Sequence, residues 1–472
     1  MSDAAKRQLR ELASNQGWEM LGAAAKALFV FVVTPVLLRR LGEDGFGFLA
    51  LALSALTALV ALDFGLRMRL RIALSAATSQ PRALARSIGH YLALVALSVA
   101  IAAVAAHFGW WQRATGSSNG LLFAAVLGGG AYGLSLLLLE PLAARGRLSM
   151  AKAAAFAGSA LTIPVLLALA ASGASVGVCF VGQAAALTIP NLCVALFVRT
   201  PEVAELPRAL ASISPAGFVR SLRDGRWFAL TAAEWLAKSY LLTFLAGLLL
   251  GPAAAGTYFI LLKLSELVSA FGASASDTST ADLAALPDAG SRAGNFRASF
   301  SYSSGMCLIA FAGLACLGPL VLGQWLRLPL NDPALAVLAG AFGLAAAFHR
   351  VLLTACMGVA LTHVVALWGL AEIAIVLGGS ALLVPRFGLG GILAAGTLGS
   401  LALLPVARHV SRELGQGSWQ VWVRPVAALV PAFAIATAGA WHAPITGFLV
   451  AASVGVYRLR QLQIKGAPAI NS

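Results

Sequence analysis

"LGEDGFGFLALALSAL" runs from Leu41 to Leu56, and "LGPAAAGTYFILLKLSEL" runs from Leu250 to Leu267. In each copy a Leu-Gly pair (Leu41-Gly42, Leu250-Gly251) is followed five residues later by Gly (Gly47, Gly256), and an apolar run follows. The offset is 209 residues, close to half of the 472-residue chain. Each phrase also stands between two long apolar stretches. A junction between two apolar segments is therefore written twice. Gly42 and Gly251 are expected to end one helix, and Gly47 and Gly256 to open the next or let it pack closely. A Leu-Gly helix end is common in any Gly-rich membrane chain; here the spacing and the flanking pattern also match.

The chain is 60% hydrophobic and 11% charged, with a mean hydropathy of +0.86. Soluble domains carry about 25% charged residues, so this composition cannot cover a soluble surface. A helix of about 20 apolar residues spans the hydrocarbon. Apolar runs place candidate spans near 16–38, 46–66, 88–108, 120–143, 152–172, 174–198, 227–250, 254–275, 299–322, 333–356, 362–384, 389–411, 421–440 and 443–458. Strands are not expected, since lipid-exposed backbone must bond within its own segment or in a closed barrel. The first run is long, contains Glu19 and Lys26, and lacks a small-residue cleavage site, so it reads as a retained span and not a leader.

The net charge of +15 raises nucleic-acid binding, but the positive-inside rule accounts for it. With the N-terminus inside and spans alternating, inside segments hold 25 Lys and Arg and outside segments hold 5 (Arg39, Arg40, Arg113, Arg327, Arg386). Lys26, Lys238 and Lys263 fall within spans. The split supports an even span count, both termini in the cytosol and no nucleic-acid partner. The five cysteines all sit in apolar runs without a CxxC pair, and the six histidines lack ligand spacing; neither a disulfide framework nor a metal site is indicated.

The repeat length is six spans. An even number returns the chain to the same side, so the two halves lie parallel, related by an axis along the membrane normal. The organisation expected is an N-lobe over 1–198, a cytosolic linker over 199–226, a C-lobe over 227–411, and C-terminal helices with a tail over 412–472. The linker region, "RTPEVAELPRALASISPAGFVRSLRDGRW" (Arg199–Trp227), is the longest polar segment. It reads in part as an amphipathic helix on the membrane surface. The fold class is an all-α polytopic membrane protein of about 14 transmembrane helices.

"TPVLLRRLGEDGFGFLAL" (Thr34–Leu51), "VALDFGLRMRLRIALS" (Val60–Ser75), "LGPLVLGQWL" (Leu317–Leu326) and "LLVPRFGLGGILAAGTLGSLALL" (Leu382–Leu404) together resemble the polysaccharide-transporter branch of the multidrug/oligosaccharidyl-lipid/polysaccharide exporter superfamily, the Wzx-type oligosaccharide flippases. The resemblance covers nearly the whole chain; its weight lies in the order of the stretches, since no single one is diagnostic. It implies two six-helix lobes around a central cavity plus two C-terminal helices. It also implies movement of an undecaprenyl-pyrophosphate-linked oligosaccharide from the cytosolic to the outer leaflet of the bacterial inner membrane. The partners implied are that lipid-linked substrate, the bilayer, and polysaccharide polymerase or assembly proteins. A lipid II-type flippase and a multidrug/cation antiporter of the same superfamily are the alternatives. "DFG" (Asp63–Gly65) has no kinase context, and "FGLGG" (387–391) is a helix-end turn.

Charges within spans are where function is sought, because one at mid-bilayer costs about 2.5–3.5 kcal/mol and usually faces an interior cavity. Lys26 lies mid-span with Glu19 two turns earlier on the same face; Lys263 has Glu266 three residues on. The functional reading has Lys26 and Lys263 facing the cavity and attracting pyrophosphate. The alternative is that each snorkels or neutralises its Glu. The resemblance implies cavity cations on the first and eighth spans, where these lysines fall, and a further one on the second, where this chain has none at mid-depth. Arg67, Arg69 and Arg71 at the cytosolic mouth are anchors or a first docking point for the headgroup. By analogy with the lipid II flippase, Glu234, Glu372 and Thr397 on spans 7, 11 and 12 are candidates for a coupling-ion site, for sodium or a proton. Lys238, four residues after Glu234, argues against sodium there. No phosphate-binding GxxxxGK[ST] loop occurs, so no nucleotide cofactor is expected. A membrane enzyme such as an O-antigen ligase or polymerase is disfavoured by the lack of a large outward loop. A non-transporting scaffold is the remaining rival.

Overall fold

The structure is a computed structural model. It describes 24–61, 81–109, 118–145, 147–210, 240–273, 304–319, 333–358, 361–402, 404–413 and 430–465, with a few single residues between. Among these residues there is no strand. Among them seven helical stretches, His363–Glu413 taken as one, are long and apolar enough to cross a membrane, and Ser304–Leu317 and Pro444–Tyr457 are shorter apolar helices. The chain is a multi-pass membrane protein.

In chain order α1 is 24–41, α2 is 43–61, α3 is Pro81–His107, α4 is Asn119–Ala144, α5 is Leu148–Ala171 and α6 is Val176–Val198. Two short turns follow, Pro201–Ala204 and Leu206–Leu210. Then come α7 (240–250), α8 (Pro252–Ala273), α9 (304–319), α10 (Pro333–Gly358), α11 (362–387) and α12 (389–401). An amphipathic segment, Leu404–Glu413, continues from α12, followed by α13 (Val430–His442) and α14 (Pro444–Lys465). The sequence places α3 near 88–108, but the helix starts at Pro81. Proline suits a first turn, where its missing N–H is not needed, and the polar turn 81–87 is invisible to an apolar-run reading. The eleventh and twelfth spans are one helical stretch, Thr362–Leu401, broken at Gly388 (φ 53).

The repeated phrase is a repeated bend. Gly42 (φ 74, ψ 172) separates α1 from α2, and Gly251 (φ 95, ψ 169) separates α7 from α8. Both occupy a backbone region that is essentially glycine-only, so both are more extended than the left-handed cap expected from sequence. Five residues on, Gly47 and Gly256 meet each other. A Cβ on Gly47 would run into the Pro252 carbonyl, and one on Gly256 would stand 3.2 Å from Gly47 Cα.

Packing divides the chain into two compact units, Met1–Phe259 and Ile260–Ser472. The division falls inside α8, so α7 and the first turns of α8 pack with the preceding helices. Internally the two units repeat one plan. In the first, Gly129 of α4 lets the helix touch α2, where an added Cβ would lie 2.8 Å from the Leu56 carbonyl oxygen and 2.9 Å from Leu59 Cβ. In the second, Gly343 of α10 does the same against α8, with Ser265 O at 2.5 Å and Val268 Cβ at 2.8 Å. Leu56 and Leu59 become Ser265 and Val268 under the 209 offset. The third helix of each repeat then donates to the same carbonyl: Tyr91 Oη to Leu59 O at 3.4 Å, and Cys307 Sγ to Val268 O at 3.7 Å. In the second unit α13 and α14 cross closely at Gly439 and Gly447 and pack on α9, where Cys316 Sγ donates to Ala436 O at 3.1 Å.

Candidate functional site

The charges singled out in the sequence divide by their surroundings. Lys26 is exposed, one turn before a π-helical turn (Phe29–Val33) in α1. Thr34 Oγ1 donates to Phe29 O at 3.1 Å, easing a ladder that Pro35 interrupts. Such bulges mark functional stretches more often than ordinary helix does. Lys263 is bound by Glu266: its Nζ donates to both carboxylate oxygens, at 2.8 and 3.0 Å, with both side chains about one-fifth exposed. Its charge is therefore largely compensated within its own turn. Arg67 is half-buried. Glu19, Arg69, Arg71 and Glu234 lie outside the described residues, as do Asp63 and Lys238.

Among the described residues Glu372 is the most enclosed acidic side chain. It is 1% exposed on α11, and His349 of α10, 6% exposed, faces it. His349 Nδ1 stands 3.2 Å from Glu372 Oε2. Glu372 lies ten residues into α11, about 15 Å along it at 1.5 Å per residue. α12 closes over the carboxylate stem: a Cβ on Gly399 would lie 3.4 Å from Glu372 Cγ. Val351 and Leu352 of α10, Val365 of α11, and Val406 and Val410 of the 404–413 segment belong to one apolar cluster. Thr397, the third expected coupling residue, donates its hydroxyl to Leu393 O at 2.8 Å within its own helix, and it is Gly399 that α12 presents to Glu372.

The first unit holds an uncharged counterpart. Ser135 occupies the α4 position that His349 occupies in α10, counted from the matched Gly129 and Gly343. Ser135 Oγ, fully buried, accepts from Asn191 Nδ2 of α6 at 3.2 Å. At this matched position the titratable pair belongs to one half of the repeat only. Sequence reasoning missed His349 because its partner is on another helix, and the signal it searched for was histidine spacing along one segment. The matched position carrying Ser in one half and His in the other was the available clue. Among the described residues there is no cluster of three or more His, Cys, Asp or Glu side chains fit for a metal ion.

No protein-family model and no curated relative matches the sequence. Solved structures do. A multidrug-resistance MATE transporter of the MOP superfamily, in an inward-facing conformation, is similar at a TM-score of 0.56 and 14% identity, covering 87% of this chain and 98% of its own. The lipid II flippase MurJ, inward closed, is similar at 0.58 and 11% identity, covering 96% and 98%. The MATE multidrug transporter DinF-BH is similar at 0.56 and 14%, covering 86% and 96%. The chain shares the fold of these solved transporters. At these identities the likeness speaks for the fold and leaves the cargo to be argued from residues.

Proposed function

We propose that the protein is a flippase that moves an undecaprenyl-pyrophosphate-linked oligosaccharide from the cytosolic to the outer leaflet of a bacterial inner membrane. The observation that carries the reading is the reach of the MurJ match, 96% of this chain against 86–87% for the two MATE transporters above. That reach fits a chain with α13 and α14 beyond its twelve-helix repeat. Lys26 supplies an exposed cation beside a π-helical turn, suited to an anionic headgroup, and the Arg67 region serves as the cytosolic docking point. Transport proceeds by alternating access without covalent chemistry. Export of an anion is favoured by an inside-negative potential, at about 2.3 kcal/mol per charge per 100 mV.

Glu372 with His349 is the coupling site of this reading, and its ion is a proton. A hard cation such as sodium asks for several oxygen ligands. An imidazole nitrogen 3.2 Å from the carboxylate takes one of those places and gives a proton a nitrogen as well as an oxygen to sit on.

A second reading, a multidrug/cation antiporter, is favoured by the closed Lys263–Glu266 pair, which removes one of the two expected cations. Binding separates the two. The full chain in nanodiscs is titrated with undecaprenyl pyrophosphate, uncharged undecaprenol and a cationic rhodamine dye. The flippase reading expects preference for the pyrophosphate, weakened at least tenfold in Lys26→Ala/Lys263→Ala. Preference for the dye, or pyrophosphate binding untouched by the double variant, overturns the assignment.

A further inference from the structure

Four consecutive residues after α6 carry three unfavourable features at once. Arg199 is the single non-glycine residue at positive φ among the described residues (φ 40, ψ 66), a conformation that costs an ordinary residue about 1 kcal/mol or more. Thr200 begins the next turn as its N-cap, yet its Oγ1 is buried and has no hydrogen-bond partner. Glu202 is 2% exposed; its Oε1 accepts from Arg145 Nη2 at 2.7 Å, while its Oε2 is buried and accepts no bond. A helix N-cap hydroxyl ordinarily binds its own turn, and a buried carboxylate ordinarily satisfies both oxygens.

Two attractions hold the segment down against those costs. One is the charge-assisted bond from Arg145, which stands at the C-cap of α4 and is about two-fifths exposed. The other is apolar: Val203 and Leu206 pack on the cluster of Leu84, Ile88, Leu137, Leu142 and Ala195 at one end of α3, α4 and α6. The segment thus lies across three helix ends of the first unit, at its cytosolic face by the charge topology.

We infer that residues 199–206 form a releasable strap, and that Arg145–Glu202 is its latch. Docking hides a carboxylate oxygen and a hydroxyl from water and holds Arg199 in a strained turn. Undocking hydrates both oxygens and relaxes Arg199, at the expense of the ion pair and the Val203 and Leu206 contacts. The large opposing contributions make the strap a two-position element at the start of the linker, the place where a conformational change is passed from α6 into the linker. The inference needs no assumption about cargo.

Hydrogen exchange on the full chain in nanodiscs tests it. In the wild type, amides of 200–206, all but the proline, exchange at least tenfold faster than the interiors of α4 and α6. Arg145→Ala, which strands the buried carboxylate, speeds that exchange a further tenfold or more while 304–319 in the second unit is unchanged. Arg199→Gly, which removes the backbone strain, slows it severalfold. Wild-type strap amides as protected as the α4 interior would show a fixed cap and overturn the proposal, as would exchange indifferent to Arg145→Ala. Should Arg145→Ala loosen the whole chain, visible as faster exchange at 304–319, the Arg199→Gly arm decides: no slowing overturns the strap.

Discussion

A histidine and a glutamate standing 3.2 Å apart, both buried among apolar helices, are costly to bury and more costly to separate. Removing one member of a buried polar pair leaves the other without its partner, at a cost of about 1–3 kcal/mol, whereas replacing both with apolar groups is often neutral or better. His349→Leu is therefore expected to lower the thermal midpoint of the purified protein sharply, and His349→Leu/Glu372→Leu to recover most of it. If the pair carries the coupling proton, the double variant stays stable yet loses the pH-gradient dependence of transport. A double variant that keeps gradient-driven transport would leave the pair a packing feature. Lys263 offers the opposite manipulation. Glu266→Gln removes the carboxylate that holds Nζ at 2.8 and 3.0 Å and should tighten binding of undecaprenyl pyrophosphate severalfold, measured by titration at low salt. Unchanged affinity would place Lys263 away from the headgroup.

At the scale of elements, close approach governs what the glycines allow. Gly343→Ala sets a methyl 2.5 Å from the Ser265 carbonyl oxygen, and Gly129→Ala sets one 2.8 Å from that of Leu56. Overpacking of this kind costs about 1–3 kcal/mol, so both variants should unfold at lower temperature, Gly343→Ala by more. Gly42→Ala meets no atom within 4 Å but forces a side chain into a glycine-only region, which also costs about 1–3 kcal/mol. Equal stability of all three with the wild type would deny these contacts. Much of this plan was readable beforehand. The Leu-Gly repeat marked the bend and the six-helix period, and long apolar runs marked the helices. What stayed hidden were interhelix relations: that Gly47 meets Gly256, that Tyr91 and Cys307 bond equivalent carbonyls, and that His349 faces Glu372. Each depends on helix rotation, which apolar runs alone do not determine. Lys263–Glu266, being local at three residues' spacing, was legible as one of two alternatives.

For the whole molecule, two units share one internal plan, and a buried His–Glu pair lies inside the second. Under the proposed function the repeat would supply two-sided access and the pair in the second unit its direction. The most direct test of that claim is translocation itself. The purified chain is reconstituted in vesicles with undecaprenyl pyrophosphate carrying a fluorescent oligosaccharide, and an impermeant quencher reports the fraction left outside as an imposed pH gradient is switched. The account predicts that the protein moves the labelled lipid across, that the gradient sets the final distribution, and that His349→Leu/Glu372→Leu abolishes the response to it. Labelled lipid that stays in its original leaflet at the rate of protein-free vesicles would contradict it.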